Sequence, residues 1–177
     1  MKKVLNEVEQ LLQPPQFDPT TAELTVHIAC TDYAMRAVIV PFLHLLKIQA
    51  PKIKVAVLAI NESAVQNQLE QRQIDFALVT PDFQAPDIHA KNLYDECYIC
   101  VVRHDHPIAK QSQLTLEQFC RLEQVLISYH GGSFSGITDQ ALQAMGLQRN
   151  VSLSVQNFIV LPELLTQSDF LLLCLSV

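Results

Sequence analysis

Residues 24–46, LTVHIACTDYAMRAVIVPFLHLL, constrain the fold more than any other part of the chain. Residues 24–30 are apolar and partly β-branched, which predicts a buried strand. The polar pair Thr31-Asp32 ends it, and an apolar segment of helical pattern begins at once. A strand that passes directly into a helix leaves unpaired backbone N–H groups at its carboxyl end. In open α/β sheets, that edge is where small ligands bind. Ile127-Ser128-Tyr129-His130-Gly131-Gly132-Ser133 is a second candidate turn. Two such turns in the two halves of the chain imply a ligand held in a cleft between two small α/β lobes.

The rest of the chain keeps this rhythm. Val4, Leu5, Val8, Leu11 and Leu12 share one helical face over residues 1–13, and Pro14-Pro15 stops that helix, which reads as the tail of a longer one. A linker follows. The first lobe then runs β-α-β-α-β: strand 24–30, a helix over 32–49 kinked by Pro41, strand 54–59, a helix over 63–72 with Val65 and Leu69 inward, and strand 74–79. Strands joined by helices in this order imply a parallel sheet with right-handed crossovers. Residues 93–102 read as paired strand leading out of the lobe, and 103–110 as a polar loop. A second lobe begins near Thr115 with a short helix over 116–121 and strand 125–128. A helix over 136–145 capped by Gly146, strand 151–155 and a helix over 158–167 complete it. Residues 170–177 form an apolar strand pattern expected to return to the first lobe. A buried strand is usually followed by a helix, so the chain reads as C-terminally truncated. The expected division is 1–22 for a linker helix end and linker, 23–102 with 170–177 for lobe I, and 103–169 for lobe II.

Composition limits the function. Of 177 residues 49% are hydrophobic, enough for a real core. The net charge of −6 argues against this segment itself gripping nucleic acid. No apolar run reaches the length of a membrane span and no secretory leader is evident, so a cytoplasmic location without membrane association is expected. Cys97 and Cys100 sit three apart in a strand pattern, where they point to opposite faces, so the five cysteines read as reduced structural thiols.

Several segments, in order, resemble the LysR-type transcriptional regulators. They are Phe17-Asp18-Pro19, Leu24-Thr25-Val26-His27-Ile28-Ala29, Thr31-Asp32-Tyr33-Ala34, Pro41-Phe42-Leu43 and Ala50-Pro51. LEQRQIDFALV over 69–79 is similar to the family's "L..G.lDlai" segment, with Gln71-Arg72-Gln73 replacing its glycine. VVRHDHPIA over 101–109, LTLEQF over 114–119 and FIVLPELL over 158–165 resemble later family segments. The resemblance covers residues 4–170. It implies a type 2 periplasmic-binding-protein-like α/β fold: two lobes, two crossover segments and a ligand cleft between them. It implies the effector-binding and oligomerisation domain of a regulator that binds a small-molecule effector and controls DNA-dependent transcription. Promoter DNA would be bound by an N-terminal winged helix-turn-helix domain outside these residues. Self-association as a homodimer or homotetramer is implied, with effector domains side by side and antiparallel. Val38, Leu43 and Leu46 are expected to give the first helix spare apolar surface.

The candidate ligand-binding residues are Thr31, Asp32 and Tyr33; Asn61 and Ser63, with Glu62 between them; Thr80, with Pro81; Tyr129, His130 and Gly131, with Gly132; and Asn157 and Phe158, with Gln156. Each set falls at a strand's carboxyl end. The plainer reading is that Asp32, Ser63 and Asn157 cap helices, each worth about 1 kcal/mol. None of the five turns carries Lys or Arg. That disfavours an anion held by an ion pair, whereas Tyr33, Tyr129, Phe134 and Phe158 suit an aromatic or partly apolar ligand. No cofactor and no metal are expected: His104 and His106 lack a partner at ligand spacing and read as a solvated loop, while His27 and His44 lie in apolar surroundings and read as packed or capped. Catalysis is not expected, because Gly132-Ser133-Phe134 lacks the spacing of a nucleophile elbow. The alternative is a free-standing solute-binding protein, which would need a secretory signal.

Overall fold

A computed structural model of the protein describes residues 17–80, 87–128 and 131–176. The helix expected over 1–13 lies outside them, as do Pro81, Tyr129 and His130.

Strand β1 (Thr25–Cys30) lies at the centre of the first sheet, between β2 (Lys54–Ala59) and β3 (Phe76–Ala77), and pairs in parallel with both. The register runs from Thr25 opposite Lys54 to Cys30 opposite Ala59. β3 is shorter than the expected 74–79, but Asp75 donates its N–H to His27 O and Leu78 to Ala29 O, so the backbone follows β1 on either side. Helix α1 starts at Asp32–Ala34, passes through a π-helical turn at Met35–Ile39 and continues over Val40–Gln49. The turn has a local cause. Pro41 has no N–H to donate and its ring would crowd a carbonyl one turn back; widening that turn relieves the clash. Ile28, Cys30 and Ile39 form the buried centre of this lobe, packed by Val26, Met35, Leu43, Val55 and Leu78.

Helix α2 (Val65–Glu70) places Val65 in full burial. The turn after it holds Arg72, whose φ of +55° is left-handed and is the sole such value among the described non-glycine residues. This is the position where the family pattern quoted above has glycine. A side chain there strains the backbone by roughly 1–2 kcal/mol.

The second sheet has the order β4-β7-β5-β6, with β4 (Cys97–Val101), β5 (Glu123–Ile127), β6 (Asn150–Val155) and β7 (Leu171–Ser176). β5 pairs in parallel with β6 and β7, while β4 is antiparallel to β7. This corrects the expected division: residues 97–101 and 171–176, assigned above to lobe I, are hydrogen-bonded into the sheet of lobe II. The reason lies in β7, whose unbroken apolar run suits a strand covered on both faces. Leu172 and Cys174 pack with Val125, Leu161 and Leu165; Leu171 and Leu173 pack with Phe119 and Leu142. Helices α3 (Leu116–Arg121), α4 (Ile137–Ala144) and α5 (Leu161–Thr166) cover this sheet. The Thr115 side chain caps α3 and Gly146 closes α4 at a φ of +71°. The five cysteines are free, with Cys97 and Cys100 both on β4 as the pattern predicted.

Lobe II also holds a polar group that no sequence pattern announces. Arg149 is buried and donates through Nε and Nη2 to the two Asp139 oxygens at 2.8 and 2.6 Å. Its Nη1 donates to Gln124 Oε1 at 3.2 Å, and Gln124 Nε2 donates to Phe119 O at 2.6 Å. Asp139 also accepts from Gly136 N at 2.7 Å, closing the first turn of α4. One bidentate pair thus ties α4, β5 and the approach to β6.

Two predictions follow from the strained turn and the buried pair. Arg72→Gly should stabilise the protein by roughly 0.5–1 kcal/mol, the relief of strain less the extra chain entropy of glycine; urea unfolding would measure it. Asp139→Ala leaves a buried guanidinium unpaired and should cost about 3–5 kcal/mol. The Arg149 hydrogen bonds, aided by the Gly136 N–H and opposed by burial, hold the Asp139 carboxyl below its usual range. Its folded value lies below the unfolded one, so the stabilisation is full above about pH 4 and falls away as acid drives the pH down through the folded value. Asp139→Asn should flatten that acid limb in denaturant titrations at successive pH values.

Candidate functional site

The site begins at the carboxyl end of β1. Thr31 is the N-cap of α1, and its Oγ1 accepts from Ala34 N at 3.1 Å. The cap orients the next two side chains away from their own helix axis toward lobe II. Asp32 Oδ1 accepts from Tyr33 N at 3.0 Å, and Asp32 Oδ2 accepts from Ile159 N at 3.0 Å. The Tyr33 ring meets the Phe158 ring at a centroid distance of 5.1 Å, tilted by 35°. The Tyr33 hydroxyl donates to Glu96 Oε1, just before β4. Burial pushes this hydroxyl well above its usual range and the adjacent Glu96 carboxylate pushes it further. Tyr94 shifts upward for the same two reasons, burial first. Tyr33 is therefore a neutral hydrogen-bonding group at any physiological pH.

The lobe II side owes its shape to where α5 begins. The pattern predicted helix from Phe158, but α5 starts at Leu161. Phe158, Ile159 and Val160 form the turn before it, which leaves the Ile159 N–H outside the helix and available to Asp32. The neighbouring turn is held close. Ser128 N donates to Val155 O at 2.8 Å, joining the ends of β5 and β6. Gly131 has a φ of +74°, and a Cβ on it would stand 2.4 Å from Gln156 Nε2. The left-handed backbone is what favours glycine here, since the Gln156 amide is the mobile end of its side chain.

The structure therefore brings together Asp32, Tyr33 and Phe158, and Thr31 supports them as a cap. Ile60 N donates to Cys30 O at 3.2 Å, which sets the Asn61-Glu62-Ser63 turn beside the end of β1. There, Ser63 Oγ donates to Asn61 Oδ1 at 2.8 Å and both residues are exposed. Thr80 and Asn157 are exposed at their strand ends. Tyr129 and His130 lie outside the described residues, so the expected convergence of Thr31, Ser63 and His130 does too. Ile159 and Glu96 belong to the junction and were missed. Ile159 acts through its backbone, which carries no sequence signal, and Glu96 meets Tyr33 across 63 positions of chain.

The histidine readings need correction. His106 is 3% exposed, and its Nδ1 accepts from Ile108 N to cap the 3₁₀ turn Pro107–Lys110, so the loop is not solvated there. His104 is exposed. His27 is half-exposed, with Nδ1 3.4 Å from Asp75 Oδ2, and His44 is exposed, so neither is packed in apolar surroundings. Among the described residues no group of three His, Cys, Asp or Glu could hold a metal ion.

Residues 20–174 match the model of the LysR substrate binding domain, and the chain belongs to that family. It is 31% identical over 157 residues to the HTH-type transcriptional activator NagR of a Ralstonia species, covering 88% of this chain and 51% of that protein. The chain spans about half the length of the curated relatives it matches. Among solved structures it superposes on a probable transcriptional regulator of Pseudomonas aeruginosa with a TM-score of 0.79 and 27% identity, over 98% of this chain and 57% of that one. The effector binding domain of BenM with its effector benzoate shares the fold at a TM-score of 0.68 and 17% identity, over 87% of this chain and 71% of that one. The two-lobed, periplasmic-binding-protein-like α/β architecture is thus that of LysR effector-binding domains.

The caps and the exposed turn separate under mutation. Thr31→Ala should cost about 1 kcal/mol in chemical denaturation through loss of the cap. Ser63→Ala should stay within about 0.5 kcal/mol, because its partner is an exposed neighbour.

Proposed function

We propose that this chain is the effector-binding and oligomerisation domain of a LysR-type transcriptional regulator, and that a small molecule binds between its lobes. One observation carries the reading: the β1–α1 turn and the turn before α5 meet through Asp32 and Ile159, which are 127 positions apart in the chain. Strand ends of two separate sheets converge there, as ligand sites in this class of fold require. Thr31, Asp32, Tyr33 and Phe158 stand at the meeting point, and we assign Asn61, Ser63, Thr80, Tyr129, His130, Gly131 and Asn157 to the same site from their place in the sequence. The occupant is an aromatic or partly apolar molecule: Tyr33 and Phe158 offer ring faces, and hydroxyls and amides give direction. In this reading promoter DNA is bound by a winged helix-turn-helix domain outside these residues, the cytoplasm is the working compartment, and the domain's task is recognition, not catalysis. The relative named an HTH-type transcriptional activator supports this over a free-standing solute-binding protein.

Self-association belongs to the same reading. Val38, Leu43 and Leu46, the residues expected to be spare, are half-buried, and Leu43 packs into the lobe I core. The apolar surplus on α1 is instead Val40, Phe42, Leu45 and Ile48, the last 71% exposed. Such a stripe favours a second copy of the domain.

Thermal shift with benzoate and with uncharged ring compounds tests the cleft. The expected result is stabilisation by at least one of them in the wild type and its loss in Phe158→Ala. No shift with any ring compound would count against an aromatic effector. Light scattering at micromolar concentration should give a dimer, and Leu45→Glu with Ile48→Glu a monomer. Gel-shift assays at low salt should show no sub-micromolar binding of duplex DNA by this domain alone, given its net charge of −6.

A further inference from the structure

The β1–α1 turn does more than line a cleft, because its carboxylate is already spent on the opposite lobe. Asp32 has two oxygens. One accepts from Tyr33 N within its own helix and the other from Ile159 N in the turn before α5, each at 3.0 Å. Tyr33, the next residue, adds a ring contact to Phe158, the residue before Ile159, and a hydroxyl contact to Glu96 at the start of β4. Three contacts from two adjacent residues of lobe I therefore fall on lobe II and its first strand. Of their partners, Phe158 packs against the lobe II core, whereas Ile159 belongs to no core cluster. Ile159 is 80% exposed, and among the described residues its N–H receives no bond from the sheet or from α5. The Ile159 N–H is the kind of backbone donor that a ligand's acceptor atom would use at this edge of the fold, and here a side chain of the protein takes it.

We propose that Asp32 is a built-in latch: its carboxylate takes the Ile159 N–H, holds the two turns together, and must be displaced by an effector that uses that donor. This role rests on the cleft being the effector site, whereas the latch itself does not. The consequence for binding follows from population arithmetic. If a ligand needs the latch open, its apparent affinity is reduced by the fraction of molecules in which the latch is open. A ligand that offers its own acceptor to Ile159 replaces the bond it breaks; one without an acceptor leaves a donor unsatisfied and is penalised. The latch therefore selects for ring compounds that bear a hydrogen-bond acceptor. Tyr33 remains fixed by Glu96 and Phe158 while Asp32 lets go, so the ring platform survives opening.

Amide hydrogen exchange on the chain without any ligand reads the latch directly. In Asp32→Ala, the Ile159 amide should exchange at least about tenfold faster, the scale expected for losing a hydrogen bond to a charged acceptor. Core amides of Val125 and Leu172 should keep their rates, which separates latch opening from global destabilisation. Asp32→Asn, which retains one carbonyl acceptor and no charge, should fall between the two. An unchanged Ile159 rate in Asp32→Ala would overturn the proposal. So would a rise at Ile159 no larger than the rise at Val125 and Leu172. Because no effector is used, failure of the ring-compound screen leaves this result standing, and failure here leaves the cleft reading standing.

Discussion

One side-chain carboxylate, that of Asp32, accepts a hydrogen bond from each of two lobes, and this requires β1 to stop where it does. With Cys30 opposite Ala59, the strand's last paired residue is buried, and Thr31 falls at the point where the backbone must leave the sheet. Thr31 then caps α1 and Asp32 stands free to reach across. A slip of one residue in the β1–β2 register would send Ile28 and Cys30 to the opposite face and empty the lobe I core. Register, cap and inter-lobe contact are therefore fixed together. The widened turn at Met35–Ile39 belongs to the same chain of causes, because it lets α1 pass Pro41 without moving its first residues off the sheet edge.

Much of this was legible from residues alone because local chemistry decides it. The strand and helix of residues 24–49, the short helix capped by Thr115 and the Gly146 stop all follow from propensity and capping. The left-handed backbone at Arg72, where the family pattern has glycine, was not drawn from the sequence. The side assignment of β4 and β7 was misread for a physical reason. An apolar run says that a strand is covered on both faces, but not by which lobe, and β7 divides its side chains between two clusters of lobe II. The start of α5 was also misplaced: Phe158 and Ile159 suit a helix by composition, yet tertiary contacts hold them in the preceding turn.

What sequence could not supply were the pairings between distant polar groups. Arg149 with Asp139, Tyr33 with Glu96 and Asp32 with Ile159 each depend on where whole elements come to rest. His106 shows the same limit at short range. Read as part of a polar loop, it is buried because its ring nitrogen caps the following turn, a role any Asn or Asp could advertise more clearly. Asp32, Tyr33 and Phe158 could be singled out as candidates because they follow strand ends; their direct contacts could not, because periodicity carries no information about which strand ends face each other.

The position of β7 has a consequence for how the molecule is made. β4 has β7 as its sheet neighbour, and β7 leaves the ribosome about 70 residues after β4 does, which at cellular elongation rates is an interval of several seconds. Through that interval the strand waits with open edges and with Tyr98 and Ile99, exposed even in the finished fold, uncovered. The first sheet faces no such delay, since its three strands emerge within residues 25–77. The apolar edge of β4 is thus the part of the growing chain whose pairing comes last, and an unpaired apolar edge is the kind of surface on which chains aggregate.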